Sequence, residues 1–191
     1  MRGVVAPRPH TGPKRNEQTR QAILDATQRL LREDGYPALT VGAIATAAGV
    51  GRQTIYRWWP SKADVVLEAL IEWGATTVPA PRSDGTLEQR LNAFITATFD
   101  GAQEPGAAAL LKALAAESQR NLEFAPRFAE FLAARRAVLH DLLAPEIPDD
   151  RRALTTDLVF GLLWYRLITR SGPLDAQTAQ ALSALLARAA E

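Results

Sequence analysis

The residues with the most chemical content lie in the run Thr40-Val41-Gly42-Ala43-Ile44-Ala45-Thr46-Ala47-Ala48-Gly49-Val50-Gly51-Arg52-Gln53-Thr54-Ile55-Tyr56-Arg57-Trp58-Trp59-Pro60-Ser61-Lys62. Within it, Arg52, Gln53, Thr54, Tyr56, Arg57 and Trp58 supply hydrogen-bond donors and aromatic rings, with no carboxylate among them. An acid-free donor face of about two helical turns fits the major groove of duplex DNA, where base edges and phosphates present acceptors. Catalysis fits poorly. The 191-residue chain has no Cys and only two His, His10 and His140. Thiol nucleophiles, thiolate metal sites and multi-His zinc sites are therefore excluded. No Gly-rich phosphate loop or metal-ligand spacing is present, and Asp149-Asp150 follows a proline at a helix start, where capping accounts for it. The sequence predicts a non-enzyme with no catalytic residue, metal or cofactor.

Such a face needs a rigid platform, and the flanking residues describe one. Val41 to Ala48 reads as a short helix with Thr40 as its N-cap. Gly49 supplies the backbone freedom of a tight turn, and a second short helix runs from Gly51 or Arg52 to Trp59, stopped by Pro60. Ala45, Ala47 and Ala48 let the two helices approach closely. Ile44, Val50, Ile55 and Trp59 share a buried side, with Ile55 and Trp59 one turn apart. Upstream, residues 16–34 carry the apolar stripe Ile23, Leu24, Thr27, Leu30 and Leu31, and Gly35 takes the terminating C′ position. Downstream, Ser61 with Asp64 reads as a capping box opening a helix with Val65, Val66, Leu67, Leu70, Ile71 and Trp73.

Residues 74–86 break the periodicity and mark a boundary. Five further helices follow, opening at the Thr86–Gln89 capping box, at Pro105, and near residues 126, 150 and 175. No segment sustains the alternation of a strand. The expected fold is all-α with about nine helices. Residues 1–15 form a basic arm, 16–62 a helix-turn-helix head with 61–73 as connector, and 74–191 a helical body. Residues 1–60 hold nine Lys/Arg and four acids, a balance of +5, while the rest balances at −4. Only the front of the chain suits a polyanion. The longest apolar run, residues 158–165, is far short of the roughly 20 needed to span a bilayer, so no membrane partner and a cytoplasmic location are expected.

At this point a family resemblance is plain. Arg20-Gln21-Ala22-Ile23-Leu24-Asp25-Ala26, Gly35-Tyr36, Leu39-Thr40-Val41, Ile44-Ala45, Ala48-Gly49-Val50, Thr54-Ile55-Tyr56 and Trp59-Pro60-Ser61-Lys62 occur in order over about fifty residues. Residues 20–72 thereby resemble the DNA-binding domain of the TetR/AcrR family of bacterial transcriptional regulators. The resemblance implies an all-helical homodimer, most simply a repressor, that binds palindromic double-stranded operator DNA and is released by a small effector. It implies phosphate contacts at Thr40, Tyr56 and Lys62 and base contacts at Arg52, Gln53 and Thr54. Arg57, Trp58, Arg15 and Arg20 are further candidates for DNA contact. Two positions depart from the family: Gly51, where a Ser or similar cap is usual, and Trp58, where a polar or smaller aromatic residue is usual.

The body is less specific. Residues 157–168 are apolar nearly all round a helix, so one side should face the protein's own core and the other a partner. Leu158, Leu162 and Tyr165, with Ala179, Leu182 and Leu186 of the last helix, are the predicted two-fold interface. Trp73, Phe94, Phe99, Leu110, Leu114, Phe128, Phe131, Trp164 and Tyr165 are candidate pocket residues, with Glu117, Arg120 and His140 as polar groups that could orient a lipophilic ligand. The competing reading is a helical adaptor without sequence-specific DNA binding.

Overall fold

The computed structural model describes residues 13–77 and 84–189, among which it contains nine α-helices and no strand. They are α1 (Pro13–Ala38), α2 (Val41–Ala47), α3 (Arg52–Tyr56), α4 (Lys62–Thr77), α5 (Leu87–Gln103), α6 (Ala107–Arg120), α7 (Ala125–Leu143), α8 (Asp149–Thr169) and α9 (Ala176–Arg188). The expected basic arm lies outside the described residues, save the backbone of residues 13–15. The side chain of Arg15 is likewise outside them.

Local chemistry accounts for most helix ends. Gly35, at φ 73° and ψ 171°, breaks the α1 helix where its C′ position was expected, and one more turn follows through Pro37. The Thr40 hydroxyl accepts the Ala43 N–H at 3.0 Å and caps α2. Gly49, at φ 66°, turns the chain into α3. Thr86 and Gln89 close a full capping box on α5, and Asp175 accepts the Thr178 N–H at 2.8 Å to start α9. That hydrogen bond holds the Asp175 carboxyl below its ordinary pKa. Pro105 differs from expectation: it precedes α6, whose N-cap is Gly106 in a left-handed conformation (φ 84°). Helix α4 also runs past the predicted boundary at residue 74, with Gly74 inside it.

Two apolar cores result. The first joins Ile23 and Leu24 of α1, Ile44 of α2, Ile55 of α3, Trp59 and the Val65–Val66 pair of α4. It does not end with the head: Leu110 and Leu114 of α6 and Phe124 and Phe128 beside and within α7 belong to it. The second core lies among α5, α7, α8 and α9, around Ile95, Phe99, Leu139, Val159 and Ala179, and α5 with α9 is its most extensive helix pair. Trp164 packs against both cores, its ring edge-on to Phe128 at 6.3 Å.

Ile55 is fully buried and is the only side chain of α3 that is, so its packing anchors that helix to the core. Truncation to Ala should destabilise the protein by about 2–5 kcal/mol and to Val by about 0.5–1.5 kcal/mol, read from urea unfolding midpoints.

Candidate functional site

Helix α3 has five residues and no acid. With Ile55 turned inward, Arg52, Gln53, Tyr56 and Arg57 are exposed and Thr54 is half-buried. Tyr56 is 51 % exposed, so its ring stands out of the head instead of packing on α1. Arg52 lays its guanidinium across Gly42 of α2, close enough that a Cβ there would meet it at 2.6 Å. Gly51 caps α3 without any side-chain hydrogen bond, and the turn is closed by backbone bonds from Thr54 to Gly51 (2.9 Å) and from Trp59 to Ile55 (2.9 Å). The missing Ser therefore leaves the helix intact. Beside α3, the exposed Thr40 hydroxyl accepts from Ala43 and keeps its own proton to donate.

Three residues expected on the DNA face are engaged elsewhere. The Lys62 ammonium donates to the Tyr36 and Leu39 carbonyls, both at 3.1 Å, and lies 4.1 Å from the centre of the Tyr36 ring. It clasps the start of α4 to the end of α1, and burial lowers its pKa. Arg20 is held by Glu68 of α4, with Glu17 at 3.0 Å and Glu72 at 3.8 Å. Its hydrogen bond to Glu68 raises its pKa further. Trp58 falls just beyond the end of α3, where its half-buried ring meets Trp59 edge-on at 5.5 Å and carries the Arg57 guanidinium 5.2 Å from its centre. Apart from Glu17, three residues from Arg20, sequence spacing gave no sign of these partners, because Glu68, Glu72 and the Tyr36 and Leu39 carbonyls lie far along the chain and Trp58 falls beyond the helix end.

Glu68 does a second job. It accepts the Trp59 indole N–H while holding Arg20, so α4 grips the residue that closes the α3 turn. Gln21 donating to Glu72 (3.0 Å) and Gln28 donating to the Ala69 carbonyl (3.1 Å) continue the α1–α4 seam. In the first turn of α4, buried Asp64 completes the Ser61 cap with Oδ2 (2.7 and 2.8 Å) and takes Arg127 of α7 at 2.8 Å with Oδ1.

A cavity of about 680 Å³ opens between α4 and the body. Of the predicted pocket residues, Trp73, Phe131 and Trp164 line it. Phe94, Phe99, Leu110, Leu114 and Phe128 do not; they are buried in the two cores. Glu117 and Arg120 pair with each other near the head, His140 faces Asp149 at 3.8 Å, and Tyr165 is 59 % exposed on the outside. Sequence reading missed the α4 wall (Leu67, Leu70, Ile71), Thr98 of α5, and Arg127 and Arg135 of α7. A helix that packs on two sides shows no periodicity that separates a cavity wall from a core.

Helix α8 is two-sided. Val159, Phe160, Leu163 and Leu167 face inward, while Leu154, Leu158, Tyr165 and Ile168 leave an apolar stripe outside, 50–66 % exposed. Leu162 and Leu182 are half-buried beside it, and Leu185 of α9 is exposed. Ala179 and Leu186, expected on the outer face, are buried on the α9 face that packs against α5.

Comparison with known proteins bears on this architecture. Residues 23–69 match the model of bacterial regulatory proteins of the tetR family, and residues 81–186 match the tetracyclin repressor-like C-terminal domain. The chain belongs to the TetR family of transcriptional regulators. It is 34 % identical over 191 aligned positions to the uncharacterized HTH-type regulator Rv1556 of Mycobacterium tuberculosis, covering 93 % of this chain and 90 % of the relative. The HTH-type transcriptional repressor KstR of Mycolicibacterium smegmatis is 35 % identical over 88 residues, 44 % of this chain and 43 % of KstR. The crystal structure of the TetR-family regulator SCO0332 superimposes with a TM-score of 0.79 at 26 % identity, covering 90 % of this chain and 97 % of that one. TetR-family regulators bind DNA through the helix-turn-helix and are not enzymes, and α2–α3 is that motif here.

Replacing Lys62 with Met should lower the thermal midpoint while leaving the slope of log affinity against log salt unchanged. A lysine contacting phosphate would reduce that slope by about one on removal, so salt titration of DNA binding separates the two roles.

Proposed function

We propose that this protein works in the cytoplasm as a homodimeric repressor. In this reading it binds a palindromic operator through α3 and lets go when a small, lipophilic molecule occupies the α4–body cavity. The observation that carries the DNA half is the exposed, acid-free face of α3, with Arg52, Gln53 and Tyr56 outward and Ile55 inward. Arg52 and Gln53 suit bidentate reading of guanine and adenine edges. Thr40, Tyr56 and Arg57 suit the flanking phosphates, as backbone contacts fix register without reading sequence. Lys62 and Arg20 are not in this contact set, since their charges are spent within the head.

The dimer half rests on the outer stripe of α8. Leu154, Leu158, Tyr165 and Ile168 lie four, seven and three residues apart on one exposed face, and Gly161 fills the gap between Leu158 and Tyr165 with nothing near its missing side chain. A second copy of α8 related by two-fold symmetry would cover the stripe isologously and place two α3 helices on one side of the molecule.

The response half rests on α4. A ligand shifts the protein only through different affinities for the DNA-bound and free forms, and α4 is shared by both ends of that linkage. Its Leu67, Leu70 and Ile71 line the cavity, and its Glu68 holds Trp59 behind α3. A molecule that moves this wall displaces α3 and changes the spacing of the two heads.

Arg52→Ala with Tyr56→Phe should weaken binding to the DNA upstream of the protein's own gene by about 1–3 kcal/mol or more in mobility-shift titrations, with the helical content unchanged. Equal binding by the double variant would defeat the assigned face. Leu158→Arg with Ile168→Glu should give a light-scattering mass of one chain, and a mass of two would move the interface elsewhere.

A further inference from the structure

The cavity wall carries one charge that no described residue balances. Arg135 of α7 is half-buried there, and no carboxylate lies within ion-pairing distance of it among the described residues. Its neighbour is the face of Phe94, 6.0 Å from the guanidinium, and burial presses its pKa below the ordinary arginine value. A partly dehydrated guanidinium without an anion is unfavourable until one arrives.

The other charged residues of the wall are already taken or lie in water. Asp64 is bound by Ser61 and Arg127, which also neutralises Arg127. Glu68 is bound by Arg20 and Trp59, and Glu130 is exposed.

A second polar group lines the same cavity. Thr98 lies one turn after Phe94 on the same face of α5, lines the cavity, and is 8 % exposed. Its hydroxyl oxygen is buried with no hydrogen-bond partner. Helical threonines usually return the proton to the carbonyl four residues back, as Thr27, Thr155 and Thr169 do here at 2.8, 3.0 and 2.7 Å. Thr98 keeps its donor for something else. The rest of the wall is apolar, including Leu67, Ile71, Phe131, Leu163 and Trp164.

We infer that the cavity is built for a lipophilic carboxylic acid, whose carboxylate is held by Arg135 and Thr98 and whose apolar body lies along α4 and α8. This rests on the reading of the cavity as the effector site and adds the class of effector. A guanidinium can give a carboxylate two parallel N–H donors, and the Thr98 hydroxyl adds a third. The volume falls in the range of roughly 300–1,000 Å³ typical of drug-sized ligands.

The test titrates the full-length protein with dodecanoate, 1-dodecanol and dodecyltrimethylammonium below their micelle concentrations, following tryptophan fluorescence, since Trp73 and Trp164 line the cavity. Dodecanoate should bind at least about tenfold more tightly than the alcohol or the ammonium. Arg135→Met should remove that preference while leaving dodecanol affinity and the thermal midpoint near wild type. Thr98→Val, which keeps the side-chain shape, should weaken dodecanoate by several fold. Tighter binding of the alcohol or the ammonium, or an acid preference that survives Arg135→Met, overturns the carboxylate assignment but leaves the cavity as an effector site. Absence of saturable binding by all three probes overturns both.

Discussion

Glu68 holds the molecule's working parts in register. One carboxylate takes the indole N–H of Trp59 and the guanidinium of Arg20. Trp59 is the fully buried residue on which the α3 turn closes, and Arg20 belongs to the first helix of the head. The position of α3 is therefore set by α4 through a charge-assisted hydrogen bond, a stronger and more directional link than apolar packing alone. Remove that carboxylate and a buried indole N–H is left without a partner, which is costly in the interior.

Helix α4 is tied one turn earlier with equal definition. Asp64 divides its oxygens between the Ser61 cap and Arg127 of α7. Two acids one turn apart thus connect the same helix to the head and to the body, and both border the cavity. The cavity wall and the residue on which the α3 turn closes are therefore joined through one helix, with no loop between them. The N-terminal turn of α4 is further pinned by Lys62 on the carbonyls that end α1.

Much of this was legible in the sequence where a local rule sufficed. The Thr40 cap, the Gly35 and Gly49 breaks, the Thr86–Gln89 capping box, the Asp175 cap and the inward set Ile44, Ile55 and Trp59 follow from residue type and spacing, and the structure has them. The two-sided character of α8 was readable from its nearly continuous apolar run. What could not be read was pairing between residues distant in sequence. Arg20 and Lys62 look like solvated cations until Glu68 and the carbonyls of Tyr36 and Leu39 are placed beside them. Ala179 and Leu186 share a heptad-like spacing with true surface positions, and only the packing of α9 on α5 decides which way they turn. Aromatic content was a poor guide to the cavity for the same reason: Phe94, Phe99 and Phe128 fill cores, whereas the unpartnered Arg135 and Thr98 carry more information and belong to no short motif.

The first core runs from Ile23 and Ile44 in the head to Leu114 and Phe124 in the body as one apolar cluster. The reading unit is consequently not a detachable module. An excised head would leave the apolar surface of α4 facing water and lose the α6–α7 side of its own interior, and the body would be left with the matching scar. Exchanging heads between relatives, as one exchanges beads on a string, would require the Leu110, Leu114, Phe124 and Phe128 patch to be exchanged with them.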